Sequence, residues 1–250
     1  MTESSSYRES HLEKGYDYHE SFSRYPHRAM LWQLERTVLD QVLDQCFTDG
    51  KPKHLDFACG TGRIISYLMD RTAHPTGVDV APSMLAIARA GAPGATIVQA
   101  DLTRENRLGD ERFDLITAFR FFSNAEPSLR LEAMRSLARH LTDKGLLVFN
   151  NHKNAGSMVY RLVRLLGRGG YDGWSRQDVA RLVNGAGLRI VREYPLGVLP
   201  LTDRHMVLPQ WLARRAELIA GRFPYAVDLA QSIIYVCRQR EGPEPRSRLR

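Results

Sequence analysis

A chain of 250 residues with 43% hydrophobic and 25% charged residues is long and apolar enough to bury the core of one α/β domain, which excludes a chain that stays unfolded for want of a core. The formal net charge of +7 is diffuse: five arginines from Arg238 onward face only Glu241 and Glu244, leaving +3 in a short Pro-containing tail, whereas a nucleic-acid binder gathers its cations on one face. Cys46, Cys59 and Cys237 are too few and too scattered for a disulfide framework or a zinc site, and apolar runs such as LLVF (146–149) are too short to span a bilayer, so a cytoplasmic protein without a membrane partner is expected.

Residues 1–25 begin Ser- and Glu-rich and then mix aromatics with polar groups, which predicts a flexible N-terminal segment able to act as a lid. From Pro26 to Phe47, Leu31, Leu34, Val38, Val42 and Leu43 recur at helical spacing and predict an amphipathic helix against the main body. Short apolar runs then alternate with helical stretches. Strands are expected at 54–58, 76–80, 95–100, 113–119 and 145–151, and helices at 63–71, 82–90 and 127–141. That order predicts a parallel sheet with crossover helices and a ligand site at the carboxyl ends of the strands. Beyond Asn151 helices are expected at 156–166 and from about Ser175, a good N-cap, followed by strands 188–194 and 232–239 as an antiparallel pair at the sheet edge. The intervening 195–231 is longer than an ordinary connection and, with a helix at 209–221, is either a cap over a substrate pocket or an element that covers an edge. The fold class is therefore α/β: a Rossmann-like, doubly wound, mostly parallel seven-stranded sheet with an antiparallel edge strand, an N-terminal helical lid and an insertion before the last strand. One domain covers 26–240, and 241–250 is expected to be a disordered basic tail.

The chemistry concentrates in LDFACGTGRI (55–64), where a strand runs into a glycine-bracketed turn and then a helix. Gly60 and Gly62 permit backbone angles that a side chain disfavours and let a ligand approach the main chain, while the helix that follows points its unpaired amides at the same place. Asp56 on the strand argues against a phosphate there. A dinucleotide loop would carry a third glycine where this chain has Ile65, which weakens a nicotinamide reading. Asp79 ends the second strand, where a carboxylate can accept two hydrogen bonds from a ribose diol, and Asp101 follows the third, where it could read an adenine amino group. Singly, each aspartate could simply cap a helix or a turn, and Met84 could be core. An ordered set on successive strand ends is hard to explain that way.

Taken together, DxACGTG, the acid of GVDVAPSML, the aspartate of QADL and the strand FDLITAF resemble the class I S-adenosylmethionine-dependent methyltransferases, over roughly residues 50–152. The resemblance implies S-adenosylmethionine as cofactor. It places Asp56 and the backbone of Ala58, Gly60 and Gly62 at the methionine portion, Asp79 at the ribose, Val80 and Met84 beside the adenine, Asp101 and Leu102 at its edge, and Phe119 near the sulfonium. Arg28 is a candidate for the cofactor carboxylate, although a solvated helix end is the simpler account. Candidate general bases are His152 after the fifth strand, His27 in the N-terminal region and His205 in the insertion, each of which could equally be a loop histidine bonded to backbone. Arg120, Asn124, Asn150 and Asn151 sit beside strand ends and would either orient a polar acceptor or tie loops together.

No metal is expected. The acceptor class left by the missing base-amino and protein-arginine signatures is a small polar metabolite, sugar or natural product, methylated on oxygen or nitrogen by a monomer or homodimer. The alternatives are an RNA or tRNA methyltransferase using the arginine-rich tail and a nucleotide-dependent oxidoreductase of the same general fold.

Overall fold

The computed structural model describes residues 25–167, 173–203 and 208–240. The expected N-terminal lid (1–24 of it), the basic tail 241–250 and His205 lie outside the described residues. In chain order the elements are α1 (Pro26–Cys46), β1 (Lys53–Phe57), α2 (Arg63–Leu68) with a 3-10 turn at Met69–Arg71, β2 (Ala73–Asp79), α3 (Pro82–Gly91), β3 (Thr96–Gln99), β4 (Phe113–Ala118) and α4 (Pro127–His140). They continue with β5 (Leu141–Asn151), α5 (Met158–Leu165), α6 (Arg176–Gly185), β6 (Leu188–Leu196), α7 (Gln210–Ala220), α8 (Ala226–Leu229) and β7 (Ser232–Gln239). The strands form a seven-stranded sheet of order β3-β2-β1-β4-β5-β7-β6. β1 to β5 are parallel, and β7 runs antiparallel to both of its neighbours. The reversed strand thus lies one place in from the edge, and β6 takes the edge itself.

The central strands are buried on both faces, and their side chains divide with period two. In β5, Leu147 and Phe149 face a core completed by Leu129, Ala133 and Leu137 of α4 and Val179 and Val183 of α6. Leu146 and Val148 face the opposite core, formed with Leu34, Val38 and Val42 of α1 and Leu68 of α2. Beside them β7 repeats the division, Tyr235 and Cys237 on the first side and Ile234 and Val236 on the second. α6 starts where Ser175 predicted it: its hydroxyl accepts from the Asp178 amide, and the Asp178 carboxylate accepts from the Ser175 amide in a reciprocal capping box.

Two features were not legible in the sequence. β5 begins at Leu141 rather than 145, because Leu141 pairs with Phe113 of β4 although Thr142–Lys144 carry no apolar signal. α8, a single turn inside the insertion, has no periodicity to betray it. The insertion is anchored at its root by Glu217, which is buried with its carboxylate accepting from the Val198 and Leu199 amides at 2.7 and 3.0 Å; burial pushes its pKa above the usual carboxylate value. No described residue of the insertion lines the cleft below, and α7 packs on α1.

Candidate active site

The turn after β1 is built on left-handed backbone at alternate positions: Ala58 at φ 53°, Gly60 at φ 54° and Gly62 at φ 81°. The first is a costly conformation for a residue with a side chain, of order 1 kcal/mol, and such strain persists where its surroundings over-determine it. Here the Cys59 amide donates to the Val78 carbonyl at 3.0 Å and the Gly60 amide to Asp79 Oδ2 at 2.8 Å, which pins the turn to the end of β2. Gly62 serves a different purpose. A Cβ there would lie 3.0 Å from the Cα of Ala88, so its absence lets α3 pack against the loop. Ile65, where a dinucleotide loop would have its third glycine, is fully buried.

Asp56 does not line the cleft. It sits beneath the loop at 1% exposure, with one carboxylate oxygen accepting from the Ile65 amide at 3.2 Å and the other from the Thr117 hydroxyl at 2.7 Å. It therefore supports the loop from below rather than facing the cleft, where the resemblance placed it at the methionine portion. Burial raises its pKa to about 7, against the opposing pull of those two hydrogen bonds. Because Thr117 donates to Asp56, it accepts from His54 Nε2 at 2.8 Å, and burial holds that histidine neutral with a pKa lowered to about 3.

The cleft itself opens at the carboxyl ends of β1 to β4. Ala58, Gly60, Asp79, Val80, Met84, Asp101, Leu102 and Phe119, all singled out in the sequence, lie on its wall. Phe57, Val78, Ala100, Thr103, Phe121 and Leu129 join them without having been expected. Apart from Thr103, which donates to Asp101, they are apolar positions at strand ends, after β4 or on α4 whose pattern says only that they are buried, so the sequence could not assign them to a ligand. Asp79 reaches both the Gly60 amide and, through Oδ1, the Ala81 amide at 2.9 Å. Asp101 Oδ1 accepts from the Thr103 amide at 3.0 Å and its hydroxyl at 2.6 Å, and Arg104 lies 3.7 Å away. Both aspartates therefore shape their turns and border the cleft at once.

Arg120, in left-handed backbone at φ 60°, closes the wall next to Phe119. Its amide donates to Asn150 Oδ1 at 2.7 Å and its carbonyl accepts from Asn124 Nδ2 at 2.6 Å. Asn124 lines the cleft too, whereas Asn150 and Asn151 are fully buried and tie loops: Asn151 accepts from the Ser123 hydroxyl and donates to the Trp174 carbonyl.

Arg28 stands off the cleft, 3.7 Å from Asp203 and over the Tyr25 ring. The described histidines are absent from the cleft wall as well. His27 is buried where α1 begins, its amide donating to Asp203, and desolvation lowers its pKa. His152 has its Nδ1 shielded without a hydrogen-bond partner among the described residues. Burial first, then the charges of Arg120, Lys153, Arg28 and Arg63, hold its pKa well below the usual value. A base must carry a proton after taking one, and those cations oppose an imidazolium there.

Glu35 escaped the sequence reading. It is 2% exposed on α1, accepts from Arg63 Nη1 at 2.7 Å and from Asn150 Nδ2 at 3.2 Å, while Arg63 lies over the Trp32 ring. The signal was present: Glu35 falls between Leu34 and Val38 on the apolar stripe of α1, and a carboxylate there needs a buried partner.

An Asp at the β2 tip, left-handed turns that expose backbone, and apolar walls from Val80 to Leu129 suit a ligand with a ribose, an aromatic base and a polar chain. Residues 55–145 match the model of the methyltransferase domain family. An uncharacterized methyltransferase of Schizosaccharomyces pombe is 25% identical over 202 residues, covering 72% of this chain and 75% of its own. Among solved structures, a TehB-like SAM-dependent methyltransferase from Corynebacterium glutamicum superposes with a TM-score of 0.58 at 18% identity, covering 93% of this chain and 100% of that one. The magnesium protoporphyrin IX methyltransferase of Synechocystis, solved with bound SAH, gives a TM-score of 0.64 at 13% identity, with coverage of 93% and 98%.

Proposed function

The chain belongs to the class I S-adenosylmethionine-dependent methyltransferases, and from that premise we propose that it methylates an oxygen or nitrogen of a small polar metabolite, sugar or natural product. The observation that carries this reading is the end of the cleft, where Phe119 is flanked by Arg120 and Asn124, polar groups on a held backbone that can orient an acceptor next to an apolar ring. In the proposed arrangement Asp79 accepts from the ribose hydroxyls, Val80, Met84 and Leu102 flank the adenine, Asp101 meets its edge, and the backbone at Ala58 and Gly60 faces the methionine portion. Gly62 and Asp56 act one step back, through helix packing and loop support.

The cofactor supplies a methyl already activated by a sulfonium. What this chain must add is alignment of the nucleophile and exclusion of water, and alignment alone can supply several kcal/mol. Phe119, Phe121 and Leu129 provide the dry wall, and Arg120 and Asn124 the polar contacts. Burial opposes protonation of His152 and His27, so among the described histidines neither suits a strong base, which favours an acceptor such as an amine or an acidic hydroxyl.

Incubating the full chain with methyl-labelled S-adenosylmethionine and metabolite extracts should yield a labelled product of low mass by mass spectrometry. Label found only in the RNA or protein fraction would overturn the small-molecule assignment.

A further inference from the structure

Two helices at one end of the sheet carry apolar side chains that stand exposed among the described residues. Met158, Leu162, Leu165 and Leu166 share a face of α5 and its C-cap, with Leu165 82% exposed. None of the α5 side chains is buried. On α7 Trp211, Leu218 and Ile219 lie on one outward face, and the turn that follows adds Phe223 at 65% and Tyr225 at 74% exposure. Patches of this kind mark an interaction site rather than ordinary surface.

The exposed charges on the two segments are mostly positive, and the acids that flank the second, Asp203 and Asp228, are paired with Arg28 and Arg176. From Lys144 to Tyr171 the sequence holds no Asp or Glu, and from Arg204 to Val227 Glu217 is the single acid. Glu217 is buried and engaged by backbone amides, so it offers nothing to the outside. The exposed charges beside the apolar residues are Arg161 and Arg164 on α5, Arg215 and Arg222 on α7 and its end, with the Arg215 guanidinium 5.7 Å from the Trp211 ring centroid. Apolar and aromatic side chains interleaved with arginine, without acids, are the composition of helices that lie in a lipid headgroup layer.

Topology puts both patches at the same end of the molecule as the cleft. α5 leaves the carboxyl end of β5, and the insertion leaves the carboxyl end of β6, whose Leu196 pairs with Ser232 while Asn151 of β5 pairs with Ile233. The two segments are stitched together there, since Asn154 Nδ2 donates to the Ala230 carbonyl at 2.8 Å. The cleft opens at the carboxyl ends of the neighbouring parallel strands. We propose that this end of the protein docks on an anionic lipid surface through α5, α7 and the turn at Phe223–Tyr225, which brings the cleft toward acceptors that reside at that surface. No helix among the described residues is long and apolar enough to cross a membrane, and a surface-bound helix needs none. This departs from the expectation of no membrane partner, and it does not depend on which atom is methylated.

The test is flotation of the full chain with vesicles of phosphatidylglycerol and phosphatidylcholine in equal parts, with calorimetric S-adenosylmethionine binding as the measure of an intact fold. Binding to the mixed vesicles is expected at low salt, weaker at high salt and weaker still on phosphatidylcholine alone. Leu165→Glu and Phe223→Glu should each reduce partitioning roughly tenfold while cofactor binding is unchanged. A chain that binds cofactor yet stays in the aqueous fraction overturns the proposal. So does binding that Arg164→Glu abolishes but Leu165→Glu and Phe223→Glu leave intact, since the cations alone would then act. A dimer in sedimentation velocity that Leu165→Glu dissociates would assign the face to a second copy instead.

Discussion

The half of the sheet from β3 to β4 and the half from β5 to β6 solve different problems with similar material. In the first, connections are short, the loop after β1 is pinned by Asp79, and the residues at the strand tips are shared between turn geometry and the cleft wall. In the second, the carboxyl ends of β5 and β6 release long excursions whose roots are fixed by Asn154 and Glu217 but whose outer faces stay exposed and apolar. The cleft half is thus held by polar bonds to backbone. The other half is held at a few points and leaves its surface for a partner. In this fold burial of a polar group marks where geometry is fixed, and exposure of an apolar group marks where recognition is left open.

Among the bonds that join the halves, those of the buried Glu35 carboxylate should be the most sensitive. Glu35 of α1 reaches Arg63 in the cleft half and Asn150 at the end of β5. Glu35→Ala leaves a largely buried guanidinium without its carboxylate and should cost about 3 kcal/mol of stability in chemical denaturation, Glu35→Gln less. A loss below about 1 kcal/mol would mean that the β4–β5 ladder and packing hold the halves together without this carboxylate.

Acid and base behaviour separates the cleft half in another way. Asp56 has a folded pKa of about 7 against an ordinary 3.8, so the folded state holds more protons and stability falls as pH rises from about 4 to about 7. His54, at about 3 against 6.5, acts in the opposite sense: its contribution is present above about 6.5 and lost as pH falls toward 3. The two slopes oppose each other between about pH 4 and 6.5. Asp56→Asn should leave a stability that rises with pH across this window, and His54→Gln one that declines. Parallel pH profiles for the two variants would break the assignment.

Asp79→Ala should weaken S-adenosylmethionine binding by about 1–3 kcal/mol in calorimetry, through lost hydrogen bonds to the ligand and a Gly60 amide no longer held. Unchanged affinity would remove Asp79 from the site. At the small end, Leu165→Ala on the open face of α5 should change thermal stability by less than about 0.5 kcal/mol, since its side chain touches little that folding buries. A larger loss would show that the face is covered after all.

Much of the cleft half was legible because its signals are local: glycines where the backbone turns left-handed, acids at the ends of β2 and β3, and an apolar period that separates helix from strand. Ala58 shows the limit, since nothing in its side chain announces a φ of 53°. The histidines show another. Position after a strand end suggested His152, yet burial first suppresses its protonation, and of the charges that add to it Arg28, Arg63 and Arg120 are distant in sequence while only Lys153 is adjacent.

By itself the sequence determined the order of strands and helices, the glycine turn at Gly60 and Gly62, and the acids that end β2 and follow β3, because each follows from backbone sterics or from periodic burial within a few residues. Only the tertiary structure decided that Asp56 supports the loop from below, that Glu35 joins Arg63 to Asn150, and that α5 and α7 emerge at the end of the sheet where the cleft opens. Those outcomes depend on which groups the sheet brings within hydrogen-bond reach and which it leaves facing solvent, and distances across strands are set by packing that no local stretch of chain encodes.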